Sequence, residues 1–151
     1  MTVTEANEGG TRRKTPVHLW FVGIVSLLWN AMGAFDYLAS QLRLDFYMSQ
    51  FSEAMLAYFY GFPSWAVAAW AFGVWGALAG SIGLLLRHRW SLWAFVISFA
   101  GMAFNSVYTL GMSNGVEIMG TSAVIFSVVI WIVAIFLVVY AWKQTKNGVL
   151  K

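Results

Sequence analysis

Four long apolar stretches dominate this chain, and the basic residues around them lie almost entirely on one side. Eight of the nine Lys and Arg residues precede the first stretch, separate the second from the third, or follow the fourth, and only Arg43 lies elsewhere. Each stretch reaches the length of about 20 residues that crosses a bilayer as a helix. Because cytoplasmic loops of membrane proteins are enriched in Lys and Arg, the pattern predicts four spanning helices with both termini in the cytoplasm.

The composition agrees with a single membrane domain whose first partner is the lipid bilayer. The 151 residues are 60% hydrophobic and only 10% charged, which is too apolar for a soluble domain of this size. The net charge of +3 does not indicate nucleic-acid binding, because the basic residues lie at predicted helix ends rather than on one patch. The chain has no cysteine, which excludes disulfides, thiol chemistry and cysteine-ligated metals.

The predicted spans cover about residues 17–37, 63–86, 90–110 and 121–142. Residues 1–16 are predicted to be a disordered, polar cytoplasmic tail, and residues 143–151 a second cytoplasmic tail. A cleaved signal peptide is the alternative for the first stretch, because basic residues precede it and small residues follow. We favour a retained span because the apolar run is long and carries a polar packing pattern.

The only sizeable segment on the predicted outer side runs over residues 38–62. Within it Ser52 can cap a helix, Gly61 can end it, and Pro63 can open the second span. Bulky side chains between Ser52 and Gly61 predict a short amphipathic helix on the outer surface. We favour an interfacial anchor over a lid that covers a cavity, and both interpretations stay open.

Small residues mark the helix faces that pack against each other in lipid, where close contact drives helix association. In the second span the stripe includes four glycines at helical spacing, Gly73, Gly76, Gly80 and Gly83. Gly76 and Gly80 also form a GxxxG motif, which we expect to pack inside the bundle rather than to form a dimer face. The fourth span is almost uniformly bulky, so we expect it to be the most peripheral helix.

Polar residues on these packing faces are the candidates for function. Asn30 in the first span and Asn105 in the third are predicted to lie at similar depth, in the outer third of the bilayer. The favoured interpretation is an amide pair that joins two helices, and the alternative is a polar layer in a solute cavity. Asp36 is the only carboxylate within a predicted span. It is either a solvated interfacial group or a proton-coupling group, with Tyr37, Asn105 or Tyr108 as hydrogen-bond partner.

The sequence contains no arrangement that indicates an enzyme. It has no Ser–His–acid set, no HExxH, no phosphate-binding loop and no carboxylate pair on a convincing cleft. His18 and His88 lie at the predicted cytoplasmic interface rather than in the bundle interior, where a haem would need its ligands. We therefore expect no catalytic residue, metal or cofactor.

The strings LLWNAMGAFDYLAS, LAYFYGFPSWAVAAWAFGVWGALAGS and MGTSAVIFSVVIW carry a resemblance. They resemble a family of small bacterial four-span inner-membrane proteins that are often labelled sugar transporters, and the likeness covers nearly all of residues 17–142. The resemblance implies a bacterial inner-membrane location and suggests sugar recognition. Aromatic rings together with amide and carboxylate hydrogen-bonding groups would suit a sugar. The candidate substrate-binding residues are Trp29, Asn30, Asp36, Asn105 and Tyr108.

Two functions from different classes remain. One is small-solute binding or transport, which predicts a homo-oligomer, because four helices are few for alternating access within one protomer. The alternative is a non-enzymatic accessory protein that packs against a larger membrane partner. A cavity with ordered polar groups would favour transport, whereas a solid core in which Asn30 and Asn105 are mutually satisfied would favour the accessory role.

Overall fold

The computed structural model describes residues 14–151, which are 83% helical and contain no strand. The predicted disordered tail therefore lies mostly outside the described residues. In chain order the helices are α1 (Val17–Gln41), α2 (Asp45–Met48), α3 (Glu53–Tyr60), α4 (Ser64–Leu85), α5 (Trp90–Ser106) and α6 (Gly115–Lys146), with a π-helical segment (Val107–Met112) that continues α5.

Four of these elements are long and apolar enough to cross a membrane: α1, α4, α5 with its π-helical continuation, and α6. This confirms the prediction of an all-helical bundle with four candidate spans. Gly120 interrupts α6 with a φ of 79° and a ψ of 178°, a conformation that glycine adopts at little cost. This kink separates a short helical segment, residues 115–119, from the long helix that begins at Thr121, where the sequence predicted the fourth span to begin.

Helix α4 lies at the centre of the bundle. It packs most extensively against α5 and next against α1, while α5 also packs against α6. A Cβ atom at Gly80 would lie 2.6 Å from the Phe95 ring, and one at Gly76 would lie 3.0 Å from the Ala94 carbonyl oxygen. Gly73 and Gly83 face α5 in the same way, so the glycine stripe forms the α4–α5 interface.

Helix α6 is the least buried of the four long helices, as expected from its uniformly bulky sequence. Ile125 and Ile132 are each 62% exposed. Its buried contacts concentrate near its C-terminal end, where Leu137 joins a core cluster with Leu19 of α1 and Leu84 of α4. We call this end of the bundle the basic end, because it carries Arg87, Arg89, Lys143, Lys146 and both described termini.

The chain folds back on itself after α6. It turns at Gly148, whose φ is 69°, and buries Leu150 completely. The Lys151 N–H donates to the Arg87 carbonyl at 2.8 Å, and the Lys151 carbonyl accepts from the Arg89 N–H at 2.9 Å. The segment predicted as a tail thus extends α6 to Lys146 and then packs on the turn between α4 and α5.

Residues 42–62, which we call the connector, link α1 to α4 at the opposite end of the bundle. They form two short helices where the sequence predicted one. Ser52 caps α3, because its Oγ accepts from the Met55 N–H at 3.3 Å. Gly61 ends α3 and Pro63 precedes α4, as the capping residues indicated. The additional helix is α2, which packs beside the end of α1.

Candidate functional site

Asn30 is buried between α1 and α4, and its amide nitrogen is fully engaged there. Its Nδ2 donates to the Ala77 carbonyl at 3.2 Å and to the Ser81 Oγ at 2.9 Å. The Ser81 hydroxyl in turn donates to the Ala77 carbonyl at 3.1 Å. These three groups form a compact hydrogen-bonded set that joins α1 to the central helix.

Polar side chains on α5 make a matching set of contacts from the other side of α4. Three of them are spaced seven residues apart on α5, and each donates to a backbone carbonyl of α4. The three accepting carbonyls are also seven residues apart, in the opposite chain direction, because the two helices are antiparallel. The pairs are Ser91 with Gly80 at 2.7 Å, Ser98 with Gly73, and Asn105 with Ala66 at 3.2 Å. We call this set the α4–α5 ladder. It requires the close approach that the glycine stripe permits.

The structure corrects the prediction that Asn30 and Asn105 lie at similar depth. Their partners Ala77 and Ala66 are eleven residues apart on α4, or about 16 Å along the helix axis. The reason is an axial offset between α1 and α5. Gly23, the seventh residue of α1, packs against Leu85 at the end of α4. Ser91 is only the second residue of α5 but already contacts Gly80, farther from the basic end, so α1 starts nearer the basic end than α5 does. Counting residues from the start of each helix therefore misplaced one amide relative to the other, and the two do not bond each other.

Asp36 lies half-buried near the connector end and accepts a hydrogen bond from the phenol of Tyr47 in α2. Burial raises the pKa of Tyr47, and the hydrogen bond and negative charge of Asp36 raise it further. Tyr47 is therefore a protonated donor at neutral pH. The expected partners of Asp36 were Tyr37, Asn105 and Tyr108, and the actual partner was missed because α2 was not predicted.

The remaining two predicted binding residues lie in different places. Trp29 packs its ring 5.9 Å from that of Phe126 in α6, between α1 and α6. Tyr108 belongs to an aromatic cluster at the connector end, 5.0 Å from Phe62 and 5.7 Å from Trp65 between ring centroids. Two pairs among the five predicted substrate-binding residues are close in the chain. Trp29 and Asn30 are consecutive in α1 but contact different helices, α6 and α4. Asn105 and Tyr108 lie about one turn apart on the continuous helix of α5 and its π-helical segment. The structure does not assemble the five into one site.

A small pocket at the connector end was not predicted. Its volume is about 100 Å³, and it is lined by Ser40, Gln41, Arg43, Phe59, Tyr60, Phe62, Val67 and Trp70. Arg43 places its guanidinium 4.1 Å from the centroid of the Tyr60 ring, and its φ of 51° is uncommon for a residue other than glycine. We call this the connector pocket. It draws on α1, the connector and α4. Its only sequence signal was Arg43, the one basic residue of residues 14–151 at this end of the bundle.

An apolar groove of about 290 Å³ runs between α5 and α6 near the basic end. It is lined by Leu92, Trp93, Val96, Val138, Val139 and Trp142. We call it the α5–α6 groove. No group of three or more His, Asp or Glu residues among residues 14–151 is placed to hold a metal ion. The two histidines have separate partners, since His18 Nδ1 lies 2.5 Å from the Tyr140 hydroxyl and His88 stacks on Trp90.

No protein-family model, curated protein or solved structure matches this chain. The family resemblance of the sequence therefore stays a prediction.

Proposed function

We propose that the protein is a four-span integral membrane protein of the bacterial inner membrane, with both termini in the cytoplasm. The four long apolar helices and their exposed faces support insertion, since side chains such as Leu28 and Ile132 are more than 60% exposed. Orientation is supported by the basic end, which carries six of the seven Lys and Arg residues among residues 14–151, whereas Arg43 stands at the opposite end.

Within that membrane, the geometry best supports a non-enzymatic accessory role in which the bundle packs against a larger membrane partner. The observation that carries this proposal is the use of interior polar side chains for helix association. Asn30 and Asn105 each donate to α4 rather than facing a shared cavity. Throughout the described residues, no buried side-chain nitrogen or oxygen lacks a hydrogen-bond partner. Such an interior is suited to holding a fixed shape.

The face available to a partner is the outer face of α6. The GxxxG motif is occupied by α5, which leaves the bulky, least buried helix as the larger free surface. A partner helix would gain close van der Waals contact with this face, which is the main source of helix association in lipid.

Photocrosslinking in intact membranes tests the accessory role. A photoreactive amino acid at Ile132 on α6 is compared with one at Leu28 on α1, since these side chains are 62% and 64% exposed. We expect one discrete heterologous protein adduct from position 132 and only lipid adducts from position 28. A self-adduct would indicate a homo-oligomer instead, and lipid adducts alone from both positions would contradict the accessory role.

Small-solute binding at the connector pocket is the second candidate, favoured by the chemistry of the pocket lining. Aromatic walls such as Trp70 and Phe59 stand beside Ser40, Gln41 and the guanidinium of Arg43. Rings and hydrogen-bonding groups of this kind are typical of sites for hydroxylated solutes such as sugars. The pocket is smaller than ligand cavities of about 300 Å³ or more, so one protomer would hold only part of a sugar. A homo-oligomer could complete the site.

Thermal stabilisation by a panel of sugars and other small solutes tests this second function, because a ligand of the folded state raises its stability by mass action. We expect a saturable shift that is lost in Trp70→Leu and retained in Trp93→Leu, which removes an exposed tryptophan elsewhere. Asn30→Ala and Asp36→Asn should keep the shift. If no solute stabilises the wild type, solute binding at this pocket is rejected.

A further inference from the structure

The α5–α6 groove ends beside a cluster of positive charges that helical spacing places in line with it. On α5, Leu92, Trp93 and Val96 line the groove. Arg89 precedes them by three, four and seven residues, so it lies on the same face of the helix, nearer the basic end.

The other wall shows the same arrangement. On α6, Val139 and Trp142 line the groove, and Lys143 and Lys146 follow Val139 by four and seven residues. The Lys146 ammonium lies 4.2 Å from the centroid of the Trp142 ring. A positive charge is therefore held against a residue that forms the mouth of the groove.

We propose that this groove binds one anionic glycerophospholipid, with an acyl chain between α5 and α6 and the phosphate at Arg89, Lys143 and Lys146. Both halves of the site match the two halves of such a lipid. The lining of the groove is entirely aliphatic and indole, which suits a hydrocarbon chain, and the charges lie at the end where the chain would join its headgroup. The tryptophan at the mouth lies where indole rings are enriched, at headgroup level.

Charge complementarity selects this occupant over a helix of another protein. An apolar helix could fill the groove, but it would itself bring no counter-charge to the three basic side chains at the mouth. A zwitterionic lipid would fill the groove equally well and would gain less from the three cations. Juxtamembrane Lys and Arg residues attract anionic lipids with an energy that corresponds to about fivefold in affinity for each charge. The proposal rests on membrane insertion and is independent of the accessory role.

Native mass spectrometry of the purified protein in detergent tests the site. Phosphatidylglycerol and phosphatidylcholine with identical acyl chains are titrated against the wild type. We expect saturable binding of one phosphatidylglycerol for each chain, with clear preference over phosphatidylcholine. Equal binding of the two lipids, or a chain that purifies as a dimer with the groove inaccessible to lipid, would overturn the proposal.

Two matched pairs of variants locate the lipid. Lys143→Gln should weaken phosphatidylglycerol binding by about fivefold, whereas Arg43→Gln removes the same charge at the opposite end and should not. Val96→Trp fills the groove and should abolish the single tight lipid, whereas Ile97→Trp changes an adjacent exposed residue outside the lining. Equal effects within either pair would overturn the assignment, since they would indicate a general charge or surface effect.

Competition by soluble glycerol phosphate distinguishes the contribution of the headgroup to binding from that of the acyl chain. Glycerol phosphate should compete only weakly, because it lacks the hydrocarbon that the groove holds. Competition as strong as that of the intact lipid would show a plain anion site and would overturn the role of the groove. Thermal melting of each variant without lipid checks that all of them fold.

Discussion

At the scale of single residues, the interior of this bundle is governed by the cost of leaving a polar group without a partner in an apolar environment. That cost is several kcal/mol for each unsatisfied group in hydrocarbon. Asn30 and the α4–α5 ladder avoid it by donating to carbonyls of α4, which can accept a second hydrogen bond while they remain in the helix. The same residues that suggested a solute cavity therefore serve as links between helices.

Asn30→Ala should lower the free energy of unfolding by about 1 kcal/mol, the usual size of an interhelical hydrogen bond in membrane proteins. Ser81→Ala should have a similar effect, and the double variant should lose less than the sum because the two groups share one hydrogen bond. Unfolding in mixed detergent measures all three. Ser127→Ala is the control, since that hydroxyl bonds within its own helix. Strict additivity of Asn30→Ala and Ser81→Ala would contradict the shared contact.

Tyr47 should make the stability of the protein sensitive to alkaline pH. The pKa of Tyr47 is raised in the folded state above its unfolded value near 10, because of burial and of Asp36. The stabilising contribution is therefore fully present below pH 10 and is lost as pH rises through the folded pKa. Tyr47→Phe should be less stable at pH 7 and should lose stability less steeply above pH 10. Unfolding midpoints at pH 7, 9 and 11 measure this, and parallel curves for the two proteins would contradict it.

At the scale of helices, close approach between α4 and α5 dominates the architecture. A Cβ atom at Gly101 would lie 2.6 Å from both the Ala69 carbonyl oxygen and the Gly73 nitrogen. These are backbone atoms, which cannot rotate away as a side chain can. The two helices would have to separate, and the ladder bond between Ser98 and Gly73 would lengthen with them.

Gly101→Ala should consequently reduce the free energy of unfolding by about 1–3 kcal/mol through overpacking. Gly33→Ala is the matched control within α1, since nothing lies within 4 Å of its added methyl group. It should be neutral or raise stability by up to about 1 kcal/mol through helix propensity. Thermal melting in detergent compares the two. A Gly101→Ala protein that melts at or above the wild-type temperature would show that the interface tolerates the methyl group.

The C-terminal segment is a second element that depends on long-range packing. Leu150 is completely buried against the core cluster at the basic end. Leu150→Ala should cost about 2–5 kcal/mol, as expected for a leucine removed from a packed core. Leu86→Ala, at a 58% exposed leucine of the same end, should change stability by about 0.5 kcal/mol or less. Similar melting temperatures for the two variants would mean that the segment does not hold the helices together.

At the scale of the whole molecule, one end of the bundle is basic and the other carries the connector. If the basic end is cytoplasmic, as we propose, anionic headgroups of the cytoplasmic leaflet contact the same end of the bundle that holds the main apolar core cluster. The connector pocket then faces the periplasm, where a solute would first meet the protein.

Reporter fusions test this orientation. A cytoplasmic reporter joined after Lys151 through a flexible linker should be active, and so should a periplasmic reporter inserted near Asn114, which is exposed between the π-helical segment and α6. The linker is needed because the Lys151 backbone pairs with the α4–α5 turn. Reporters exchanged between the two positions are the control and should be inactive. Activity of the exchanged pair would reverse the proposed orientation.

Local sequence patterns were sufficient to predict four apolar helices, a peripheral fourth span, a glycine stripe on α4, and the cap residues of α3. These are properties of short-range periodicity and residue chemistry, which each segment carries independently of the others. Tertiary structure alone decided the axial offset between α1 and α5, which separated Asn30 from Asn105. It also decided that Asp36 pairs with Tyr47 and that Leu150 returns to the core. Each of these depends on contacts between segments that are distant in the chain. Such contacts are set by how the helices pack against one another, which no single helix determines.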